Sequence, residues 1–398
     1  MRISRRLWFM PLLLLCIVPM ALSAQDNGCP ALVNTALEAA DAICESAGRN
    51  QVCYGNVSIS ATPRPDVSDF AFQSAGDIVD VASLQSLALS GMNVADNAWG
   101  VAIMKVQANL PDTMPGQNVT FVLFGDVEIE NAAQDLPTVT LTANGSVNVV
   151  ETPTIDGALL SVLDAGMTVV ADGQLADGLW LRVRLPEGGT GWLETAQVAA
   201  DGDLAMLVVG EPGEPVFGPM QAFYFRSGIS DSACAEAPES GVMIQTPEGA
   251  GRITVNVNGI DLNLGSTAYI RTRPENQIGL SLIEGSGIAE VDGFVQYIPS
   301  GAWITVPTDE DGIADGPPNS PQPYNNDKMA SLPVELLDRE VEVPLSLTED
   351  EIAAALEDYR INGVPVEDEG EGESSSEGES QPDTESSPEE EGDEEDGG

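Results

Sequence analysis

The 398-residue chain contains no histidine. Without imidazole there is no Ser-His-Asp or Cys-His nucleophile, no histidine general base near neutral pH, and no histidine-ligated zinc or iron. Cations are also scarce: 15 Lys and Arg stand against 64 Asp and Glu, for a formal charge of −49. Contact with a nucleic-acid backbone needs clustered Lys and Arg, so no nucleic-acid partner is expected. Only five cysteines occur and none forms a C-x-x-C pair, which argues against a four-thiolate metal site. No cofactor motif is present and no cofactor is expected. What remains is a chain with 42% apolar residues, enough to bury sizeable cores, and a length suited to two or three domains.

One long apolar run exists, from Leu7 to Leu22. It follows Arg2, Arg5 and Arg6 and is followed by small residues through Ala24, the order of a secretory signal peptide. The run is short for a membrane span, so residues 1–24 are expected to be removed and the mature chain to have no span; an uncleaved anchor is the alternative. Cleavage after Ser23 and after Ala24 both remain open. Processing would leave Cys29, Cys44, Cys53 and Cys234, an even number in an oxidising compartment, and two disulfides are expected. Leu32, Ala36, Leu37, Ala40 and Ile43 recur at helical spacing, so residues 30–44 read as a helix that holds Cys29 and Cys44 about 20 Å apart. That separation favours Cys44 with Cys53 across a short turn, and Cys29 with Cys234.

Beyond the helix, Val-, Ile- and aromatic-rich segments alternate with Gly, Pro, Asn and Asp clusters, which predicts a small β domain over residues 25–136. Lys105 lies in one of these strands. A Ser-Lys hydrolase would need such a lysine desolvated beside a serine, but a solvated strand face is the favoured reading. In residues 139–200, Asn144-Gly145, Ala165-Gly166, Asp172-Gly173, Asp177-Gly178 and Gly188-Gly189 place a turn about every ten residues, the spacing of a small closed barrel. Residues 201–241 read as a connector carrying one strand, Met220 to Arg226. Over 242–310 the alternation Ile253, Val255, Val257, then Ile260, Leu262, Leu264 predicts a hairpin turning at Gly259, and Asp292-Gly293 a second. Asp309, Asp311, Gly312 and Asp315 form an acidic loop without the closing glutamate of an EF-hand, and a solvated turn is favoured over a calcium site. Residues 311–366 read as a Pro-rich linker and a short helix opened by the capping box Thr348 to Glu351. The last segment, 367–398, has 16 acidic residues in 32 and none basic, so a disordered, solubilising tail is expected.

Two segments carry a family resemblance. Val147-Asn148-Val149, Leu163-x-Ala165-Gly166, Asp177-Gly178-Leu179-Trp180-Leu181-Arg182-Val183 and Gly191-Trp192-Leu193 resemble a bacterial SH3-like (SH3b) domain, departing from it at Val150 where the family commonly has Arg. Residues 242–310 are similar to a FecR-type domain in Ser281-Leu282-Ile283-Glu284-Gly285-Ser286 and Ile298-Pro299-Ser300-Gly301. The whole arrangement resembles exported proteins of Chloroflexota-type filamentous bacteria. The first resemblance implies a module that binds cell-wall peptides or serves as a spacer. Trp180 and Trp192 are then the candidate ligand contacts, with Arg182 as a carboxylate partner; the competing reading places both tryptophans in the barrel core.

The expected fold is thus mainly β and multidomain: a short amino-terminal helix, a small SH3-like barrel, flanking antiparallel β domains and an acidic tail. The expected function is a non-catalytic secreted or cell-envelope binding protein with a cell-wall peptide, glycan or envelope-protein partner. A carboxylate-dependent glycan hydrolase, which does not require histidine, and an envelope-sensing subunit are the alternatives.

Overall fold

A computed structural model describes residues 29–107, 118–185, 190–213, 216–228, 237–247, 249 and 251–364. The expected signal peptide, Cys234 and the acidic tail lie outside the described residues. Within the described residues, no helix is long and apolar enough to cross a membrane.

Helix α1 (Cys29–Cys44) forms where the apolar spacing predicts it, and Val33, Ala36, Leu37 and Ala40 are buried along one stripe. It lies against β1 (Gln51–Asn56), where Gly55 permits close approach: a Cβ there would sit 2.9 Å from the Ala40 Cβ. The expected Cys44–Cys53 disulfide is present and ties the helix end to this strand. Cys29 is half-buried at the start of the helix. Its expected bridge to Cys234 falls outside the described residues.

The remaining strands of the first stretch are β2 (Ile59–Pro63), β3 (Ile78–Asp80), β4 (Leu84–Leu89), β5 (Val101–Val106), β6 (Val119–Phe124) and β7 (Val127–Asn131). Next come β8 (Val139–Ala143), β9 (Val147–Val150), β10 (Leu159–Leu163), β11 (Thr168–Gln174), β12 (Trp180–Arg184), β13 (Thr190–Glu194), β14 (Val198–Ala200) and β15 (Val208–Val209). The last stretch holds β16 (Ala222–Ser227), β17 (Gly241–Gln245), β18 (Ile253–Val257), β19 (Ile260–Leu264), β20 (Thr267–Arg273), β21 (Gln277–Glu284), β22 (Ser286–Val291), β23 (Phe294–Pro299), β24 (Ala302–Pro307) and β25 (Gln322–Pro323), then α2 (Asn326–Met329) and α3 (Glu349–Asn362).

The first and last stretches build one sandwich. One sheet runs β25-β24-β21-β20-β17-β6-β5-β1-β3 and the other β2-β4-β7-β16-β18-β19-β22-β23. Segments that read as separate domains, 25–136 and 242–310, therefore share both sheets, joined where β6 pairs with β17 and β7 with β16. Between the sheets lies a core containing Met104, Phe121, Leu123, Phe223, Phe225, Ile270 and Leu280, with Phe121 and Phe223 edge to face at 5.7 Å. The other face of the first sheet packs Val122, Phe124 and Met243 against α1 and the segment from Tyr324 to Val341. Strand β6 is consequently buried on both faces and shows an apolar run instead of alternation. The hairpins expected at Gly259 and Asp292-Gly293 are both present, with positive φ at Asn258, Gly259, Asp292 and Gly293 as type I′ turns require.

Residues 139–209 form an insertion between β7 and β16. These two strands pair with each other, Phe223 opposite Asn131, so the insertion leaves and re-enters the sandwich at neighbouring points. The segment that read as a connector carrying one strand places that strand, β16, in the second sheet, and also supplies β15 to the insertion, where it pairs in parallel with β11. The insertion has its own aliphatic core of Leu141, Val149, Leu163, Val169, Leu181, Val183 and Leu193. Its strands run β10-β9-β13-β12-β11-β8-β14, an open path in place of the expected closed barrel. Apolar residues from the whole path meet in one cluster, so the sheet curls on itself without pairing its two edges.

The stretch expected to be a linker also packs. Met329, Leu332, Leu336 and Val341 are buried against the first sheet, and the Lys105 ammonium lies 2.9 Å from Asp338, whose other carboxylate oxygen accepts from the Thr120 hydroxyl at 2.6 Å. The expected capping box at Thr348 and Glu351 opens α3, and Tyr359 stacks on Tyr297 of β23 at 4.4 Å.

Candidate functional site

Strand alternation on β12 sends Leu181 and Val183 into the insertion's core and leaves Trp180, Arg182 and Arg184 on the outer face. Antiparallel pairing then sets Trp192 of β13 directly opposite Arg182, with Trp180 opposite Glu194 and Arg184 opposite Thr190. The three candidate contacts thus share one face, and neither tryptophan belongs to the insertion's apolar core. Their exposure differs. Trp192 is 4% exposed and Arg182 5%, whereas Trp180 is half-buried next to the exposed Leu179.

Arg182 is held by a residue that the sequence reading placed in a turn. Asp172-Gly173 is a bulge within β11, with the register slipping between Ala171 and Gly173. A bulge presents two successive residues to one face of the sheet. The Asp172 carboxylate, fully buried, accepts from Arg182 Nε at 2.9 Å and from Arg184 Nε at 2.8 Å. Gly173 makes room beside it, since a Cβ there would lie 3.0 Å from the Arg182 guanidinium. The W-x-R-x-R alternation was the available signal for Arg184. Nothing short of the bulge itself reveals Asp172.

The outer face borders two cavities between the insertion and the sandwich. The smaller, about 240 Å³, is lined by Arg182 and Trp192 from the insertion and by Arg252, Ile253 and Thr254 from the sandwich. The larger, about 510 Å³, joins Asp172, Arg184 and Leu185 to Arg64, Asp80 and Val106, and the two have Thr190 and Val216 in common. Arg64 is hydrogen-bonded to Asp135, which holds its guanidinium above the ordinary value against the opposing effect of burial. Its Nε also lies 3.5 Å from Asp66.

Two other candidates are accounted for locally. In the acidic loop, Asp309 Oδ1 accepts from the backbone amides of Asp311 and Ile313, both at 2.9 Å, so this carboxylate shapes its own turn. Among the described residues no group of three or more His, Cys, Asp or Glu side chains is arranged to hold a metal. Lys105, considered for a Ser-Lys pair, is engaged by Asp338. No protein-family model, curated protein or solved structure matches the chain.

Proposed function

We propose that the chain is an extracytoplasmic, non-catalytic binding protein whose inserted module, of SH3b type, contacts a cell-wall peptide or glycan or an envelope protein. The export-type amino terminus and the SH3b-like motifs support the compartment and the ligand class. The observation that carries the binding role is the position of Trp180: outside the apolar core, half-buried on a sheet and next to exposed Leu179. An indole so placed offers a large contact area at little entropic cost. Arg182 and Trp192 have a different part in this reading. Covered at the junction with the sandwich, they position the face, and Trp180 makes the contact.

The test is saturable retention of the purified chain on isolated cell walls and on envelope extract, compared with Trp180→Ala. Loss of an interface anchor should weaken retention by ~30-fold, equivalent to about 2 kcal/mol, with an unchanged melting curve. Absence of saturable retention, or equal retention by the variant, overturns the proposal.

A further inference from the structure

The larger junction cavity carries an assignment that is independent of the SH3b resemblance. Its volume, about 510 Å³, lies in the range of small-molecule sites, roughly 300–1,000 Å³, and such sites favour boundaries between structural units. Most of its polar lining is already engaged within the protein. Asn50 exchanges hydrogen bonds with Gln107, Gln221 is bonded to the Gln107 carbonyl and the Gly218 amide, and Arg64 is held by Asp135. Among the charged groups of the lining, Arg64 and Asp135 neutralise each other, while Arg184 and Asp80 both retain capacity. Arg184 is half exposed and, among the described residues, donates only its Nε, to Asp172, which leaves the terminal guanidinium nitrogens for another acceptor. Asp80 is exposed and uses one carboxylate oxygen to accept from the Ala82 amide at 2.9 Å, leaving the other oxygen. Val106, Leu185 and Phe217 supply apolar wall between them.

We infer that this cavity binds a small zwitterion of amino-acid or dipeptide size, its carboxylate on Arg184 and its ammonium on Asp80. The choice of a zwitterion follows from charge. A chain with formal charge −49 repels a free anion at long range, whereas a ligand without net charge is not repelled and still presents a carboxylate to the arginine. A cation alone would satisfy Asp80 and leave the Arg184 donors unused.

Calorimetric titration of the purified chain with the free amino acids and dialanine tests the assignment, with N-acetyl-dialanine and dialanine amide as blocked probes. At least one free probe should bind saturably, and Arg184→Met and Asp80→Asn should each weaken it by about tenfold or more. Asp80→Asn keeps a side chain suited to the same cap, so its melting curve should match the parent and a binding loss is not a folding loss. Blocking either end of the dipeptide should have the effect of the corresponding variant. Failure of every free probe to bind at millimolar concentration overturns the site. Sensitivity to Arg184→Met alone, with the acetylated probe binding undiminished, overturns the zwitterion in favour of a plain carboxylate.

Discussion

The sandwich and its insertion are both antiparallel β structures with buried aliphatic cores, but they are assembled over different distances along the chain. In the insertion every pairing closes within residues 139–209, and three join consecutive strands: β9 with β10, β11 with β12, β12 with β13. In the sandwich, β6 finds β17 with Phe121 opposite Ile244, and β7 finds β16 with Ile129 opposite Phe225, across the whole insertion. Locality makes the insertion a self-contained unit, whereas the sandwich exists only when both ends of the chain have met. Contacts of long sequence separation carry a larger loop-closure cost before any burial offsets it.

The largest effect should come from separating the two assemblies. A chain ending at Asn131 lacks β16, β17 and every strand beyond them, so Phe121, Leu123 and Ile129 lose the strand on one side and most of the apolar partners of their core. It should show no cooperative thermal transition by circular dichroism. A chain of residues 138–210 retains its own core and should melt cooperatively. A folded amino-terminal fragment would break the comparison, because the sheets would then not depend on both ends.

The same difference explains what could be read from the sequence. Helix α1, the Cys44–Cys53 bridge, the turns at Asn258-Gly259 and Asp292-Gly293, and the capping box of α3 are local, and each was legible from residue type and spacing. The sharing of sheets was not, because no local pattern states which strand lies beside β6. The stretch after Pro317 read as a linker for a related reason: Met329, Leu332 and Leu336 are spaced apart among prolines and polar residues, and become core only against a sheet formed elsewhere. In the candidate site, Trp180, Arg182 and Trp192 were named by the SH3b resemblance, and their sharing of one face follows from the register of β12 on β13. Asp80, Arg64 and Arg184 are brought to one cavity by the insertion point, a tertiary fact with no signature in spacing.

A smaller effect sharpens the comparison within the insertion, where a buried charge cluster accompanies an otherwise aliphatic core. Asp172→Asn would leave Arg182, only 6% exposed at its side chain, without its compensating carboxylate. Breaking a buried pair from one side is costly, and about 3 kcal/mol is expected here, with Arg184 adding little because half of its side chain is in solvent. Replacing both Asp172 and Arg182 by leucine should cost less than the single exchange, since no uncompensated charge remains. Denaturant unfolding of the full chain and its variants measures both; a double variant less stable than Asp172→Asn would show that the ion pair itself, and not the orphaned charge, dominates.

The smallest effect concerns the sandwich alone and depends on pH. Glu284, at the end of β21, meets Arg339 of the packed carboxy-terminal segment, and its carboxylate also accepts from the hydroxyls of Ser266 at 2.6 Å and Thr267 at 3.2 Å. Partial burial pushes its pKa up, but these hydrogen bonds and the guanidinium charge outweigh burial and hold the carboxyl below the ordinary glutamate range. A folded-state pKa below the unfolded one means that the unfolded chain binds the proton more readily. Its contribution to stability is therefore complete above the unfolded value, about 4.3, and declines as pH falls toward and through the folded value. Glu284→Gln removes that contribution at every pH, leaving Arg339 with a neutral neighbour. Thermal melting of the full chain from pH 7 to pH 3 should show the variant less stable at neutral pH and the two curves converging in acid, while the other carboxylates titrate equally in both. Curves that stay parallel down to pH 3 would show that Glu284 does not couple protonation to the docking of this segment.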